Sequence, residues 1–492
     1  MGNRRIQVAA LAAAVAVAAS GCLGDPRDRA TQTPLLPPTL PGVGTPAPAS
    51  SNRPTPALSG PLASASGSSV GPIASGPTET AAPTIAPYSP PPIQGRLSIW
   101  TYAQGDKEIP IRAYIKEFEA RHPDIDAKLV VIPEDNYSAK VNTSLQAASP
   151  PDVAIIEEPR WIRAGRVVDI APWLQAWGVP ISDFPAGGLA RMTVDGDTSH
   201  IYGVGDFLGG YVMVYNKALY AAAGVTPPPA DRSLSYDEYA ANCRAIAKPD
   251  PDPAKALYGC SSQDNIYSLK LSDVYGPDGR QIVGNGNSDA MVHAFDVGTS
   301  LVNDRVAPSN QVLDAIGGDG EADLFAQGKI AVIPTDFTQV DKYAANGIDF
   351  GIVPFYAVSG TDPVLDSWTA PWGTFNGANN PQAALEFLRF IATDAQRMRP
   401  TITPDPPLRT SIAKELNYGA DDPIKQQYLA LLSLHKLQVF VPPGGEAWDP
   451  GEVVRQMTVD GKPDARPILD PMVQKAQKEL DRLWLEWEGL AP

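Results

Sequence analysis

Between Leu97 and Ile156 short apolar runs alternate with amphipathic stretches, and few folds accommodate that order. Leu97-Ser98-Ile99-Trp100 reads as a short buried strand. After a loop, Ile111, Tyr114, Ile115 and Phe118 recur at the spacing that lines one face of a helix, and Pro123 ends it. Leu129-Val130-Val131-Ile132 gives a second strand, Tyr137, Val141 and Leu145 a second helix, and residues 152–156 a third strand. Strands linked by helical crossovers run parallel, with right-handed connections and helices on the sheet faces. In such sheets ligands sit beyond the carboxyl ends of the strands. The residues so placed are 102–107 after the first strand, and Glu157, Glu158 and Arg160 after the third.

The stretch before this pattern reads differently. Arg4 and Arg5 precede an alanine- and valine-rich run over residues 6–19, and Ala19-Ser20-Gly21-Cys22 follows. A positive start, a short apolar run and small residues are the layout of a secretory leader, too short to span a bilayer comfortably. Residues 1–21 are therefore expected to be a signal peptide. The small-small-Cys ending resembles a bacterial lipoprotein lipobox, although Ala19 stands where that pattern most often has leucine. The resemblance implies that Cys22 becomes the first mature residue, carries lipid, and fastens the exported protein to the outer face of the cell membrane. The plainer alternative is an ordinary signal peptide that contains a cysteine.

Residues 22–94 form a proline-, serine- and threonine-rich segment in which about one residue in four is proline, a composition that cannot bury enough apolar surface to fold. As a flexible coil it would reach roughly 45–50 Å, enough to hold a folded body off a membrane. Gly67-Ser68-Ser69-Val70-Gly71 matches a serine-hydrolase elbow by chance, since no strand precedes it and no helix follows.

The remaining stretch of about 400 residues is too long for one core and suggests two domains. A formal charge of −16 argues against nucleic-acid binding, which needs clustered Lys and Arg. With Cys22 set aside for lipid, Cys243 and Cys260 remain as an even pair in an exported chain. They are either a disulfide or two buried thiols. A bridge would close a loop of about 18 residues and contribute on the order of 3 kcal/mol. His122, His200, His293 and His435 share no local spacing, so a metal site has little support. No Walker loop and no cofactor signature is present. The adjacent pairs Glu157-Glu158 and Asp421-Asp422 do not make the facing carboxyls of a glycosidase, because neighbours on a strand point to opposite faces.

A series of weak motifs then appears in a consistent order. Leu97-Ser98-Ile99-Trp100 is followed by Pro151-Asp152-Val153, Asp195-Gly196, Ile201-Tyr202-Gly203-Val204 and Val214-Tyr215-Asn216-Lys217. Phe325-Ala326-Gln327-Gly328-Lys329-Ile330-Ala331-Val332, Asn380-Pro381 and Pro407-Leu408-Arg409 complete it. Over about residues 95 to 492 the order resembles the family-1 extracellular solute-binding proteins of ABC importers, the group with many sugar binders. Gly205 stands where that family usually has proline. Local signals agree. Ser235 and Glu238 form a capping box, Asn380 caps a helix that begins with Pro381, and Leu469, Met472, Val473, Ala476, Leu480, Leu483, Trp484 and Trp487 line a long C-terminal helix.

The resemblance implies an α/β, two-lobed periplasmic-binding-protein-like fold of type II, each lobe a sheet flanked by helices and joined to the other by hinge crossovers. Residues 95–208 and 354–398 would form the first lobe, and 209–353 and 399–492 the second. The crossings would fall near residues 206–210, near Pro354 and around 395–400. Ligand would sit in the cleft and be buried by hinge closure.

Sugars present apolar C–H faces and polar rims, so aromatic rings with Asp, Glu, Gln and Arg are the residues to seek. The cleft-facing loops offer Trp100, Tyr102, Gln104, Asp106 and Glu157, then Asp206, Phe207 and Tyr211 near the first crossing. Asp336, Phe337, Trp368, Trp372, Arg409 and Trp448 complete the set. Trp161, Trp173, Trp484 and Trp487 read as packing. The expected protein is a lipid-anchored, monomeric solute-binding protein that delivers a sugar or oligosaccharide to an ABC permease, without cofactor or catalysis. The alternatives are a sensory protein of the same fold, a cell-surface carbohydrate-active enzyme, or a binder of another small solute.

Overall fold

A computed structural model describes residues 88–262, 274–317, 320–434, 440–442 and 448–490. Cys22, the leader and nearly all of the proline-rich segment lie outside the described residues, as does His435.

The alternating pattern after Leu97 builds the first sheet. Strands β1 (Gly95–Thr101), β2 (Ile125–Val131) and β3 (Val153–Ile155) run parallel in the order β2-β1-β3, and β8 (Trp372–Gly373) closes the far edge antiparallel to β3. Helix α1 (Glu108–Arg121) buries Ile111, Tyr114, Ile115 and Phe118, and α2 (Glu134–Gln146) buries Tyr137 and Val141. Phe118 meets Phe387 edge-on at 5.1 Å, so the helix Pro381–Phe390 joins this core. Asn380 caps that helix, and Pro381 takes the first-turn position where a missing N–H costs nothing. Asp152 ties the layers together by accepting hydrogen bonds from the Ser98 and Asn380 amides at 2.8 and 2.6 Å. The chain enters through the same region. The Arg389 guanidinium lies 5.9 Å from the Tyr88 ring centre, Ile93 is buried, and Asn380 Nδ2 donates to the Gln94 carbonyl at 2.9 Å.

The second sheet is antiparallel and centred on β4 (Gly209–Asn216). Strand β5 (Val332–Asp336) pairs along one edge, while β6 (Phe350–Val353) and β7 (Asp366–Trp368) share the other. Its core takes Leu469, Val473 and Ala476 from the C-terminal helix Arg466–Gly489, and Tyr239 and Cys243 from the helix Tyr236–Ile246, which begins with the Ser235–Glu238 capping box. Cys243 and Cys260 are joined as a disulfide, with Cα atoms 5.5 Å apart. Trp161, Trp173 and Trp487 are all buried.

Two crossings lie later in the chain than the sequence suggests. Phe355 bridges Val364, Ala357 bridges Ser235, and β7 pairs with β4, so residues 354–368 stay with the second sheet and the return falls between β7 and β8. Further on, Gln396 Nε2 donates to the Gly205 carbonyl and Arg409 pairs with Asp183, which keeps residues 396–411 against the first lobe. The helix Pro423–Leu432 then packs on the second sheet, where Gln427 Nε2 donates to the Ile352 carbonyl at 2.7 Å. Ladder and side-chain partners decide these boundaries, and local sequence carries no trace of them.

The first crossing, residues 203–209, is threaded closely. Val204 bridges Trp372 and Phe207 bridges Pro407. A Cβ on Gly205 would lie 1.8 Å from Thr369 Oγ1, which explains why neither proline nor any other side chain stands there.

Candidate functional site

Two sets of aromatic and carboxylate side chains stand on the two sheets. The first comes from the carboxyl ends of β1 and β3. Tyr102 donates a hydrogen bond to Glu157 Oε1 at 2.6 Å. Its ring packs edge-on against Tyr137 at 5.2 Å, and the Tyr137 hydroxyl is itself held by the Ile155 backbone. Burial drives the Tyr102 phenol well above its ordinary pKa and the Glu157 charge adds to that, so the hydroxyl stays protonated and donates. Gln104 and Asp106 are exposed on the turn that leads into α1, and Trp100 is half-buried near the end of β1.

The second set lies on one face of the antiparallel sheet. Tyr211 is level with Asp336 of β5 on one side and Asp366 of β7 on the other. Residues directly opposite in an antiparallel ladder share a face, so the two carboxyls flank the Tyr211 ring. Gly209, two residues earlier on the same face, is level with Trp368. The Trp368 and Tyr211 rings meet at 5.2 Å with a 39° tilt. A Cβ on Gly209 would lie 3.0 Å from both Phe207 Cε2 and Trp368 Nε1. Trp368 and Tyr211 meet directly and Phe207 borders the same Gly209 position as Trp368, so the three rings make an aromatic row grouped around a residue without a side chain.

Burial shapes the charge of the second set. Burial raises the Asp336 carboxyl, against two hydrogen bonds from Thr338 and the attraction of Lys107. Burial also raises the Asp366 carboxyl, against the attraction of Arg191. Arg191, by its charge, also works against the rise of the Tyr102 phenol. It sits on the helix Ala186–Met192, which is seated against β7 because a Cβ on Gly187 would lie 1.9 Å from Ser367 Oγ.

Of the residues singled out from sequence, Tyr102 and Glu157 are hydrogen-bonded, Tyr211 meets Trp368 and is level with Asp336, and Phe207 borders the same Gly209 position as Trp368. Five others hold packing or ion-pair positions instead. Asp206 is buried and accepts hydrogen bonds from Tyr114 at 2.8 Å and Arg399 at 3.0 Å. Phe337 is buried and stacks on Tyr428 at 3.7 Å. Trp372 is buried with its edge toward Phe387, and Trp448 is buried beside Phe295 in the second core. Arg409 donates from Nε to Asp183 at 2.7 Å and from Nη1 to the Ala392 carbonyl at 3.1 Å. Burial of a large ring and satisfaction of a buried guanidinium outweigh availability to a ligand in these cases. Asp366 and Arg191 escape a reading by motif, whereas Lys107 falls in the loop read after the first strand. Asp366 carries one usable signal, its position two residues from Trp368 on a strand.

Among the described residues no group of three His, Cys, Asp or Glu side chains is arranged to hold a metal ion, and no helix is long and apolar enough to cross a membrane. A mainly parallel sheet and a separate antiparallel one, each flanked by helices and carrying aromatic and carboxylate side chains, fit the two-lobed binding-protein class. The profile of the bacterial extracellular solute-binding protein family matches residues 104–398, and the chain belongs to that family. A Brucella abortus protein named as a binding protein is 24% identical over 384 residues, covering 75% of this chain and 89% of its own. An ABC substrate-binding protein from Listeria monocytogenes, solved in complex with cycloalternan, superposes with a TM-score of 0.61 at 18% identity, covering 79% of this chain and 99% of its own. The sugar-binding protein MalE from Xanthomonas citri gives 0.62 at 17% identity, covering 80% and 99%.

Proposed function

We propose that this protein captures a carbohydrate, with an oligosaccharide the best fit, between the Tyr102–Glu157 wall and the Phe207–Trp368–Tyr211 row, and delivers it to an ABC permease. The observation that carries this reading is the row itself, with Asp336 and Asp366 on either side of Tyr211. Rings accept the C–H faces of pyranoses, and flanking carboxyls accept hydrogen bonds from their hydroxyls. A row of three rings is longer than one sugar ring needs, which favours a chain of sugars. The solved relative holding cycloalternan supports that choice. Gln104, Asp106 and Trp100 stand at the rim of the first wall and are assigned to the ligand's outer units.

Thermal unfolding against a panel of mono- and oligosaccharides tests the reading. A ligand at 100 times its Kd stabilises the folded state by about 2.7 kcal/mol, which raises the unfolding midpoint measurably. No shift with any saccharide at millimolar concentration sinks it. The same proposal has Cys22 lipidated and the protein working as a monomer at the outer face of the membrane. Intact-mass measurement of the membrane fraction, compared with a Cys22→Ala variant, tests the lipid, and light scattering tests the monomer.

A further inference from the structure

Arg399 carries no motif, yet it stands where the two lobes are joined. It belongs to the helix Gln396–Ile402. Its Nη1 donates to Asp206 Oδ2 at 3.0 Å, and its Nε and Nη2 donate to Asp405 Oδ2 at 3.1 and 2.5 Å. The Arg399, Asp206 and Asp405 side chains are only 12%, 3% and 2% exposed, so each charge depends on the others. Tyr114 donates to the same Asp206 oxygen at 2.8 Å, and Thr403 to the same Asp405 oxygen at 3.0 Å. Burial works against the guanidinium charge, but Asp206 and Asp405 overcome it and hold its pKa above the ordinary value.

The two carboxylates lie on different passes of the chain. Asp206 is on the first crossing strand. Asp405 precedes Pro406 and Pro407, and that segment pairs with the crossing strand through the Leu208 amide and Pro406 carbonyl at 3.1 Å and through a Phe207–Pro407 bridge. The guanidinium carbon also lies 4.1 Å from the centre of the Phe207 ring. Phe207 Cε2 and Trp368 Nε1 each border the Gly209 position, 3.0 Å from where its side chain would begin. One side chain thus clamps two strands at the hinge and supports the first ring of the aromatic row. The same helix adds a second tie, since Gln396 donates to the Gly205 carbonyl at 3.0 Å and accepts from the Arg409 amide at 2.8 Å.

We propose that Arg399 is a positioning residue for ligand capture. It locks residues 204–208 to residues 404–408 and fixes the Phe207 ring in line with Trp368, so the platform is assembled before ligand arrives. This rests on the reading of the aromatic row as the ligand platform. A lysine at 399 keeps the charge but cannot bridge two carboxylates with a planar fork or stack on a ring.

The test uses the full chain labelled with 5-fluorotryptophan, with the Trp368 resonance assigned by Trp368→Phe. In ligand-free protein, Arg399→Lys is expected to shift the Trp368 resonance as Phe207→Leu does and leave the other tryptophans unmoved. Amide exchange over residues 203–208 and 404–409 is expected to quicken about tenfold while β1 and β2 keep their rates. An unmoved Trp368 resonance, or a shift shared by all the tryptophans, overturns the proposal. Asp405→Asn provides the same readout if Arg399→Lys does not fold. With whichever saccharide most stabilises the wild type, Arg399→Lys and Phe207→Leu should each weaken binding about tenfold, and the double variant should lose little more. Fully additive losses overturn it. A panel without any binder sinks the carbohydrate reading alone, because the resonance and exchange measurements decide the clamp without ligand.

Discussion

Trp368 lies directly opposite Gly209 on the β4–β7 ladder, with its indole nitrogen 3.0 Å from where a side chain at 209 would begin. The aromatic row therefore depends on a missing atom as much as on the rings. A Cβ at 209 meets Phe207 on one side and Trp368 on the other, and both must give way.

Gly209→Ala is accordingly expected to weaken saccharide binding with a smaller effect on folding. Displacing two rings by a few tenths of an ångström should cost about 1–2 kcal/mol of affinity, roughly five- to thirtyfold. Titration calorimetry measures the first quantity and thermal unfolding of the ligand-free protein the second. Unchanged affinity refutes the assigned platform.

Removal of the indole itself is the sharper case. Trp368→Ala takes away the centre of the row, and truncation of a central aromatic in a binding site typically costs about 2 kcal/mol or more. A loss of at least tenfold in saccharide affinity is expected, against a much smaller loss for Trp484→Ala, whose indole donates to the Gly279 carbonyl far along the C-terminal helix.

Asp366 ties stability to pH in a definite direction. Burial raises its carboxyl above the ordinary carboxylate value, so the folded chain keeps that proton to higher pH than the unfolded chain. As pH rises between the two values the folded state acquires a charge cost that the unfolded state lacks, and stability falls. Asp366→Asn removes this cost. It should raise the unfolding midpoint at pH 7 by about 1–2 °C, because solvent screens part of the charge, and the gain should vanish below pH of about 4. The same variant should bind saccharide less well. An equal gain at all pH values contradicts the assignment.

Gly205 tests the hinge packing without ligand. Its Cβ position, 1.8 Å from Thr369 Oγ1, leaves no space between the first crossing and the chain's return to β8. Gly205→Ala should destabilise by about 2 kcal/mol, and pairing it with Thr369→Gly should recover most of the loss. Chemical denaturation of the four proteins in that cycle gives the answer.

Reduction, or Cys243→Ser with Cys260→Ser, opens a loop of sequence separation 17 in the second lobe. The expected loss is about 3 kcal/mol by chain entropy, with saccharide affinity retained where the second core refolds around serines, because neither sulfur belongs to the aromatic row. Peptide mapping without reductant identifies the pair directly.

The first sheet was legible because its instructions are local. Strand runs, helix faces, the capping box at Ser235 and the proline after Asn380 each act within a few residues, and the structure places β1, α1, β2, α2 and β3 over the stretches read for them. The crossings were not legible. Nothing in residues 354–368 reveals that β7 finds its partner in β4, more than 150 residues earlier along the chain. Site residues divide in the same way. Tyr102 and Glu157 follow from the rule that parallel strands deliver ligand groups at their carboxyl ends, whereas Asp366 becomes visible only when the β4–β7 register sets it beside Tyr211. Trp372, Phe337 and Trp448 show the limit of composition. A tryptophan or phenylalanine near a loop serves a core as readily as a ligand, and neighbours distant in sequence decide which.

Tyr88, Ile93 and Gln94 are fastened to Arg389 and Asn380, all on the side of the first sheet. The first described residues are therefore part of the packing of that sheet and not a loose approach to it: truncation before Gly95 would uncover the helix face that Ile93 helps to close and remove one acceptor of the Asn380 side chain.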